Sequence, residues 1–423
     1  MKKNKLKNLN KKIELLAPAG NLEKLKYAFH YGADAVYAGV PDVSLRVRIN
    51  NFNKKTIREG IEYAHKNGKK VYLTVNIYAH NQHLKKVEEH LKFLKTLKVD
   101  AVIISDPGII ELAKEILPKT DIFLSTQANA TNWRAVKFWH AQGVKRIILA
   151  REVTLKEIKE IKKNVPGIEL EYFIHGAMCM AYSGRCILSA WMSGRSANQG
   201  DCSQPCRWRY TKNKPIFETS VLDDQKRFEV DLEEDQHGTY FFNSKDLNLI
   251  EHVQDLIEAG VTSLKIEGRA KSVYYVALVC RSYRKVIQAI ENGKTKAEIK
   301  KKIQEAKKEL NNLVNRGYTK GFLLGQEPKH NFSGKNTWDK FKFVGEILEY
   351  KDGLNIVKVH NEIYLGDRLE AIGKEKNQLL VIKHIFNDKM QEVKEAHGGH
   401  AKNYFFQFNH KLETRDLLRK KLT

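Results

Sequence analysis

Short apolar runs alternate with amphipathic stretches along the first two thirds of the chain. The apolar runs have the length of buried β-strands, and most of them end at Gly, Pro or a polar residue. The amphipathic stretches repeat apolar residues at helical spacing, as residues 22–29 do after the capping residue Asn21. The pattern predicts strands at residues 14–17, 33–38, 70–77, 101–105, 122–126, 146–150, 168–174 and 263–266.

Eight strand–helix alternations predict a parallel sheet that is wrapped by helices. This number of strands is typical of a TIM-barrel-like (β/α)8 domain, which we expect over residues 13–326. Residues 240–243 could form a further strand or replace one of the eight. Helices are expected at residues 247–259 and, after the last barrel strand, at residues 270–315.

The pattern changes near residues 327–339, which are rich in Pro, Asn, Ser and Gly. The segment beyond them contains short β-like runs separated by turn residues, at 344–348, 356–359, 368–372, 379–385 and 404–408. We therefore expect a small C-terminal β-barrel domain over residues 340–423, with a helical tail at 411–421. Residues 1–12 form a basic tail that precedes both domains.

Polar residues collect where the predicted barrel strands end. Because barrel enzymes carry their chemistry at this end of the strands, these residues are candidates for a site, although each alone could simply cap the next helix. The catalytic candidates are His175, Glu267 and Arg269. The substrate-binding candidates are Arg46, Arg48, Asn76, Gln127, Glu152 and Lys245.

The guanidinium of Arg269 suits a carboxylate, since its donors match the two oxygens of an acid. Arg269 could instead pair with Glu267 and hold the strand end. His175 could act as an acid or base, bind substrate, or be a structural hydrogen-bonded histidine.

The chain is strongly basic, with 74 Lys and Arg against 50 Asp and Glu and a formal net charge of +24. Such a charge suits a polyanionic partner such as RNA, although lysines on helix faces also serve solubility alone. No apolar run approaches the ~18 residues of a membrane-spanning helix. The basic N-terminus is not followed by an apolar signal-peptide region, so we expect a cytoplasmic protein that does not enter a membrane.

Four of the five cysteines fall within residues 171–210, at Cys179, Cys186, Cys202 and Cys206. Glycines and arginines are interleaved with them, so the backbone can fold tightly around a small anionic group. Four thiolates are the ligand set of a [4Fe–4S] cluster. Zinc is the alternative, although only the last pair approaches the spacing of a zinc knuckle, and an arrangement without metal also remains open. The fifth cysteine, Cys280, follows an apolar run and is expected to be buried.

This cysteine-rich segment resembles the signature of the U32 family in EYFIHGAMC, YSGRC and GRSANQGDCSQPCRW. The likeness continues in ELLAPAGNLEKLKYAFHYGADAVYAG, FFNSKDL, IEGRAKSVYYV and NRGYTKGF, so it covers most of residues 14–322. The family was first catalogued as peptidases, including bacterial collagenases. Its members include iron–sulfur proteins that support oxygen-independent hydroxylation of tRNA, ribosomal RNA and ubiquinone precursors.

The resemblance implies an iron–sulfur protein that helps hydroxylate a tRNA uridine at the wobble position, with prephenate as an acidic co-substrate. Its partners would be tRNA and proteins that donate electrons or deliver the cluster. Two alternatives remain: a collagenase-like peptidase, and a partner subunit whose cluster is structural or passes electrons. The chain lacks the G-x-S-x-G and H-E-x-x-H motifs of common hydrolases, which counts against the peptidase.

Overall fold

The computed structural model describes residues 12–39, 52–179, 186, 188–193, 203, 205, 220–222, 229–231, 234–235, 238–239, 244–326, 337, 341–399 and 403–422. The barrel strands are β1 Glu14–Ala19, β2 Ala35–Gly39, β3 Lys70–Val75, β4 Ala101–Ile104, β5 Asp121–Leu124, β6 Arg146–Ile148, β7 Glu169–Ala177 and β13 Val261–Ile266. Between the last two lie the short strands β8 Ser220–Leu222, β9 Glu229–Asp231, β10 Glu234–Asp235, β11 Gly238–Thr239 and β12 Asp246–Asn248. The helices are α1 Leu22–His30, α2 Lys54–Lys66, α3 Asn81–Lys95, α4 Pro107–Ile116, α5 Trp133–Ala141, α6 Leu155–Asn164, α7 Leu188–Ser193, α8 Val253–Glu258, α9 Val273–Glu291 and α10 Lys296–Asn311.

Strand β13 closes the barrel. It pairs in parallel with β1, where Leu264 faces Leu15, and with β7, where Lys265 faces Phe173. Strands β1 to β7 are paired in sequence order, each parallel to the next. The predicted TIM-barrel-like fold is therefore confirmed.

The expected helix at residues 247–259 is wrong over its first part. Strand β12 pairs antiparallel with the end of β7, and helix α8 begins only at Val253, after a 3₁₀ turn. Strand β7 extends to Ala177, and residues 246–249 pair with its edge. The Leu249 N–H, for example, donates to the Ile174 carbonyl at 2.9 Å. Long-range pairing thus overrides the local apolar spacing. Residues 240–243 lie outside the described residues.

Charged side chains fill the N-terminal end of the barrel, which we call the barrel floor. Glu171 is fully buried and accepts from Lys265 Nζ at 2.7 Å and from Arg146 Nη1 at 3.2 Å. Arg146 also contacts Glu14 Oε1 at 2.5 Å. The Ser263 hydroxyl donates to the same Glu14 oxygen at 2.8 Å. Each of these buried charges therefore lies against an opposite charge.

The C-terminal domain is an antiparallel β-structure, as predicted. After the short strand β14 Tyr318–Thr319, its strands are β15 Phe341–Lys351, β16 Leu354–Val359, β17 Ile363–Tyr364, β18 Leu369–Ile372, β19 Asn377–Leu380, β20 Ile382–Phe386, β21 Glu395–Ala396, β22 Tyr404–Phe408 and β23 Leu417–Lys421. Seven of them form one sheet in the order β19-β18-β23-β15-β16-β22-β20. Within the described residues, no pairing joins its outer strands β19 and β20 into a closed barrel.

The predicted C-terminal helix at residues 411–421 is wrong, because this segment contains the central strand β23. Leu418 faces Gly345 of β15 on one side and Ala371 of β18 on the other. Leu417 and Leu418 are fully buried. Two strand partners and an apolar core therefore outweigh the helical character of a Lys- and Arg-rich tail.

The two domains share an extensive contact. The Tyr31 hydroxyl of α1 donates to the Ile372 carbonyl at 2.6 Å, and Arg281 Nη1 of α9 donates to the Gly373 carbonyl at 2.7 Å. Arg419 of β23 contacts Glu309 of α10 at 2.5 Å. The sheet is thus fixed against three helices of the barrel. None of the described helices has the length and apolar character that crossing a membrane requires.

Replacing Arg146 with Met should lower the free energy of unfolding by about 3–5 kcal/mol, because Glu14 and Glu171 would stay buried without their cation. Urea unfolding of the purified protein measures the change. The matched control is Lys92→Met, which breaks an exposed ion pair with Glu88. We expect the control to change stability by less than about 0.5 kcal/mol. Equal effects of the two variants would contradict a structural role for the buried charges.

Candidate functional site

The C-terminal ends of the barrel strands form the second end of the barrel, which we call the barrel mouth. The structure brings most of the predicted site residues to this end. Asn76 follows β3, Gln127 lies in a 3₁₀ turn after β5, Glu152 follows β6, and both Glu267 and Arg269 follow β13. The predicted residues Arg46, Arg48, Cys202 and Cys206 lie outside the described residues.

Arg269 reaches across the mouth. Its side chain starts after β13, and Nη1 donates to the Thr74 hydroxyl of β3 at 3.3 Å. The guanidinium carbon lies 5.8 Å from the centre of the Tyr37 ring, on β2 between these two strands. Only 5% of Arg269 is exposed. A buried guanidinium at the mouth of a barrel is well placed to bind an anion.

Two glycines position the loop that carries Glu267 and Arg269. A Cβ on Gly20 would lie 2.3 Å from the Arg269 carbonyl oxygen, and one on Gly176 would lie 2.6 Å from that of Glu267. Gly176 also has a φ of +112°, which side chains rarely adopt. The Tyr275 hydroxyl donates to the Glu267 carbonyl at 2.9 Å. The loop is therefore held between β1, β7 and α9.

His175 faces the helices rather than the barrel interior. Its ring centre lies 5.9, 5.6 and 5.6 Å from those of Tyr275, Tyr283 and Tyr318, and the first two of these belong to α9. Burial lowers the pKa of His175 to about 3, against an opposing effect of the Asp246 charge. The ring is thus neutral at neutral pH. These contacts favour the structural interpretation of His175, and a catalytic role stays a prediction.

Gln127 carries a buried amide oxygen that has no hydrogen-bond partner among the residues that the structure describes. The backbone around it is well fixed, because its N–H donates to the Ser125 hydroxyl at 3.4 Å and its carbonyl accepts from Tyr78 at 3.2 Å. Asn129, in the next turn of chain, likewise has a buried side-chain oxygen without a partner. An unsatisfied buried acceptor costs about 1–3 kcal/mol, which a ligand with a hydrogen-bond donor would offset.

The remaining predicted substrate-binding residues are less informative. The Asn76 carbonyl accepts from the Ser105 hydroxyl at 3.5 Å. Glu152 is half-buried beside Tyr172, whose phenol pKa is raised first by burial and then by the Glu152 charge. Lys245 packs its aliphatic stem near Gly317, where a Cβ would lie 3.4 Å from it. Lys245 directly precedes β12, whose Asp246 pairs with Ala177 at the C-terminal end of β7.

The described part of the cysteine-rich segment starts beside the mouth. Cys179 is exposed two residues after β7, Cys186 is partly buried, and neither is in a disulfide. The Ser203 N–H donates to the Ser189 hydroxyl at 2.9 Å. Ser189 follows Cys186 and Ser203 precedes Cys206 in the sequence, so this contact joins the two halves of the segment.

Reduced, accessible thiols fit metal ligation better than a disulfide framework does. The described residues contain no cluster of three or more His, Cys, Asp or Glu side chains that could hold a metal ion. The choice between iron–sulfur and zinc therefore stays a prediction. Cys280 is fully buried in α9, as expected, and burial raises its thiol pKa to about 12.

The sequence reasoning missed Thr74 and the tyrosines around His175. Thr74 could have been found, because it lies two residues before Asn76 in the predicted strand 70–77, where alternation places both on the same side. The tyrosines come from α9 and from β14, a hundred or more residues after His175. Only the tertiary structure brings them together.

Two family profiles match the chain. The one described as peptidase family U32 matches residues 20–333, and the one described as the peptidase family U32 C-terminal domain matches residues 339–419. The chain is 42% identical over 429 residues to the tRNA hydroxylation protein P of Haemophilus influenzae, with 92% of each chain covered. It is 43% identical to the protein of the same name from Escherichia coli, again with 92% of each chain covered. A protein named collagenase from Porphyromonas gingivalis is 31% identical, over 92% of this chain and 93% of that one.

Stability should fall as the pH drops from 6.5, the ordinary pKa of histidine, towards the value of about 3 that His175 has in the fold. Between these values the unfolded chain binds a proton that the buried ring does not, so the loss approaches about 1.4 kcal/mol per pH unit for this group. Urea unfolding across this window should show a shallower pH dependence in His175→Gln than in the parent protein. Parallel curves would mean that the ring accepts a proton in the folded state.

Proposed function

The chain belongs to peptidase family U32, and we propose that it supports the oxygen-independent hydroxylation of a tRNA uridine, at the wobble position and with prephenate as co-substrate. The observation that carries this proposal is the similarity to relatives named for tRNA hydroxylation, which extends over nearly the whole chain and both domains. Similarity restricted to the barrel domain would not have indicated the substrate.

The geometry of the mouth supports an acidic co-substrate. Arg269 offers a buried guanidinium, and a charge-assisted hydrogen bond to a carboxylate is worth about 1.5–3 kcal/mol. Gln127 offers an acceptor without a donor at the same end of the barrel. The N3–H of a uracil ring is a donor of the right kind for that oxygen. In this proposal Arg269 binds the carboxylate of the co-substrate, and Gln127 binds the uracil ring of the tRNA.

We propose that Cys179, Cys186, Cys202 and Cys206 hold a [4Fe–4S] cluster, with zinc as the alternative. A bound cluster would supply one-electron chemistry at a potential that nearby hydrogen bonds and charges tune. The position of Cys179, just after β7, supports a cluster on the rim of the mouth. An electron donor and a protein that delivers the cluster would be further partners in the cytoplasm.

The second candidate function is proteolysis, which the similarity to a protein named collagenase favours. A cysteine or serine protease needs a nucleophile next to a base. Where the structure describes His175, its ring contacts are tyrosines, and its pKa is too low for a base that works near neutral pH. Hydroxylation therefore explains the polar groups of the mouth better. A role as an electron-passing partner subunit would not explain the open acceptor of Gln127.

Arg269→Ala should abolish uridine hydroxylation when the variant is expressed in a strain that lacks the gene. Loss of a guanidinium–carboxylate contact lowers occupancy of the acid by about tenfold to a hundredfold. The measurement is mass spectrometry of nucleosides from total tRNA. The matched control is Thr74→Val, which removes the hydrogen-bond partner of Arg269 but keeps the guanidinium.

The control should retain most of the modification. Equal loss in both variants, with an equal drop in melting temperature, would mean that Arg269 only holds the strand ends together. Full modification in Arg269→Ala would exclude it as a ligand of the co-substrate. Cleavage of gelatin by the purified protein, abolished by Cys179→Ser, would favour the peptidase.

Anaerobically purified protein should be brown, with broad absorbance near about 400 nm from charge transfer between thiolate and iron. Replacing Cys179, Cys186, Cys202 or Cys206 with Ser should remove this absorbance. The matched control is Cys280→Ser, which should keep it because Cys280 is fully buried in α9. Stoichiometric zinc without iron in the same preparation would contradict the cluster and support the zinc alternative.

A further inference from the structure

A polar cleft lies between the barrel floor and the C-terminal domain. It encloses about 420 Å³, which is within the usual range of about 300–1,000 Å³ for ligand pockets. Its walls come from the segments before β1, β2 and β3, from the middle of α9, and from the turn between β18 and β19. We call it the basal cleft, and the basic residues that define it are Lys12, Lys69, Arg281, Arg284, Lys285 and Lys374.

Positive charge is in excess in the basal cleft. Its six Lys and Arg side chains face three carboxylates, those of Asp34, Glu291 and Glu375. Asp34 alone is shared by Lys12 at 2.9 Å, Lys69 at 3.8 Å and Arg284. Arg284 also contacts Glu291 at 3.8 Å, and Arg281 contacts Glu309 at 3.5 Å. With Glu309 included, six cations therefore face four carboxylates, and the cleft keeps a net positive charge.

The lysines of the cleft show the effect of this crowding. Burial lowers the pKa of Lys69, and the charges of Lys12, Arg284 and Lys374 lower it further, against the opposing charge of Asp34. Burial and the neighbouring Arg281 act on Lys285 in the same way. An anion bound among these side chains would stabilise their charged forms.

The cleft is held in shape by both domains. Lys285 Nζ donates to the Glu375 carbonyl at 2.6 Å, and Arg281 donates to the Gly373 carbonyl and the Asn377 side chain at 2.7 Å each. These bonds anchor the turn that carries Lys374 against α9. The exposed Lys374 and the half-buried Lys69 therefore face one cavity from different domains.

We propose that the basal cleft binds phosphate groups. Phosphate is the anion that several lysines bind together as point charges, whereas a single carboxylate is matched by one arginine. Two sources offer this chemistry: the backbone of an RNA and a small phosphorylated compound. The RNA source rests on the proposed function, which it deepens by placing a second contact away from the reacting nucleotide.

The position of the cleft favours the RNA source. The cleft lies at the floor, and the candidate site lies at the mouth of the same barrel. The six residues of β1 span about 20 Å at roughly 3.3 Å per residue. A folded RNA whose reacting nucleotide lies at the mouth is large enough to reach the cleft as well, so one ligand would account for both sites.

The test compares two double variants of the full chain that lose equal charge. Lys69→Gln with Lys374→Gln changes the cleft, and Lys156→Gln with Lys159→Gln changes the exposed face of α6. Binding of unmodified tRNA is measured at several salt concentrations. The salt dependence of log K in the cleft variant should become shallower by roughly 1 per lost phosphate contact, and the α6 variant should match the parent.

The second arm uses inorganic pyrophosphate as the probe of a small phosphate. If it raises the melting temperature of the parent protein but not of the cleft variant, the cleft binds small phosphates. An effect on tRNA without an effect of pyrophosphate assigns the cleft to RNA. No difference between the cleft variant and the parent in either arm, or equal losses in both variants, would overturn the proposal.

The binding test of the basal cleft can fail or succeed independently of the proposed function. Restoration of hydroxylated uridine in the deletion strain tests the function, whereas binding by purified protein tests the cleft. A protein that restores modification yet shows no dependence on the cleft would refute the cleft alone. Salt-dependent binding through the cleft without any modified uridine would refute the function alone.

Discussion

The fold depends on the buried charges at the barrel floor. Glu171, without any exposed surface, is neutralised by Lys265 and Arg146, and Arg146 in turn contacts Glu14. A buried charge that loses its partner costs several kcal/mol, so each of these strands can pack only if the others supply the opposite charge. Strands β1, β6, β7 and β13 are thereby tied together at the point where the barrel closes.

The charged network of the floor and the Gln127 amide of the mouth differ in how well they are satisfied. At the floor, each charge of the network has partners, and the ring of Phe123 packs 4.3 Å from the guanidinium of Arg146. At the mouth, the amide oxygen of Gln127 is buried without a hydrogen-bond partner among the described residues. Other buried polar atoms, such as His30 Nε2, also lack a partner in the described part of the chain, so an open polar atom is not peculiar to the mouth. The Gln127 oxygen is distinguished by its position among the polar strand ends, where a ligand with a hydrogen-bond donor can offset the cost.

The alternation of apolar runs and helical stretches was sufficient to predict the barrel and the end of it that carries the polar residues. It failed where distant partners decide the structure, as in β12 and β23. The alternation alone also does not determine the direction of His175. Strict alternation would place His175 on the same side as Phe173, but the pairing of β7 with β13 shifts register next to His175, and Gly176 has a positive φ. Such a local irregularity cannot be deduced from a period of two.

The contact between the domains makes the C-terminal sheet part of the barrel rather than an appendage. Ile372 and Leu417 belong to the same apolar core as the barrel strands. The Tyr31 hydroxyl of α1 hydrogen-bonds to the backbone carbonyls of Ile372 and Arg415 in the C-terminal domain. The turn that carries Lys374 is therefore fixed relative to Lys69. If the two lysines lay on independently moving domains, binding a phosphate would restrict both the side chains and the domains, at a cost in entropy. Here the domains are already fixed relative to each other, so binding restricts only the side chains. A rigid junction of this kind is suited to hold a large ligand in one orientation while its reactive part lies at the other end of the barrel.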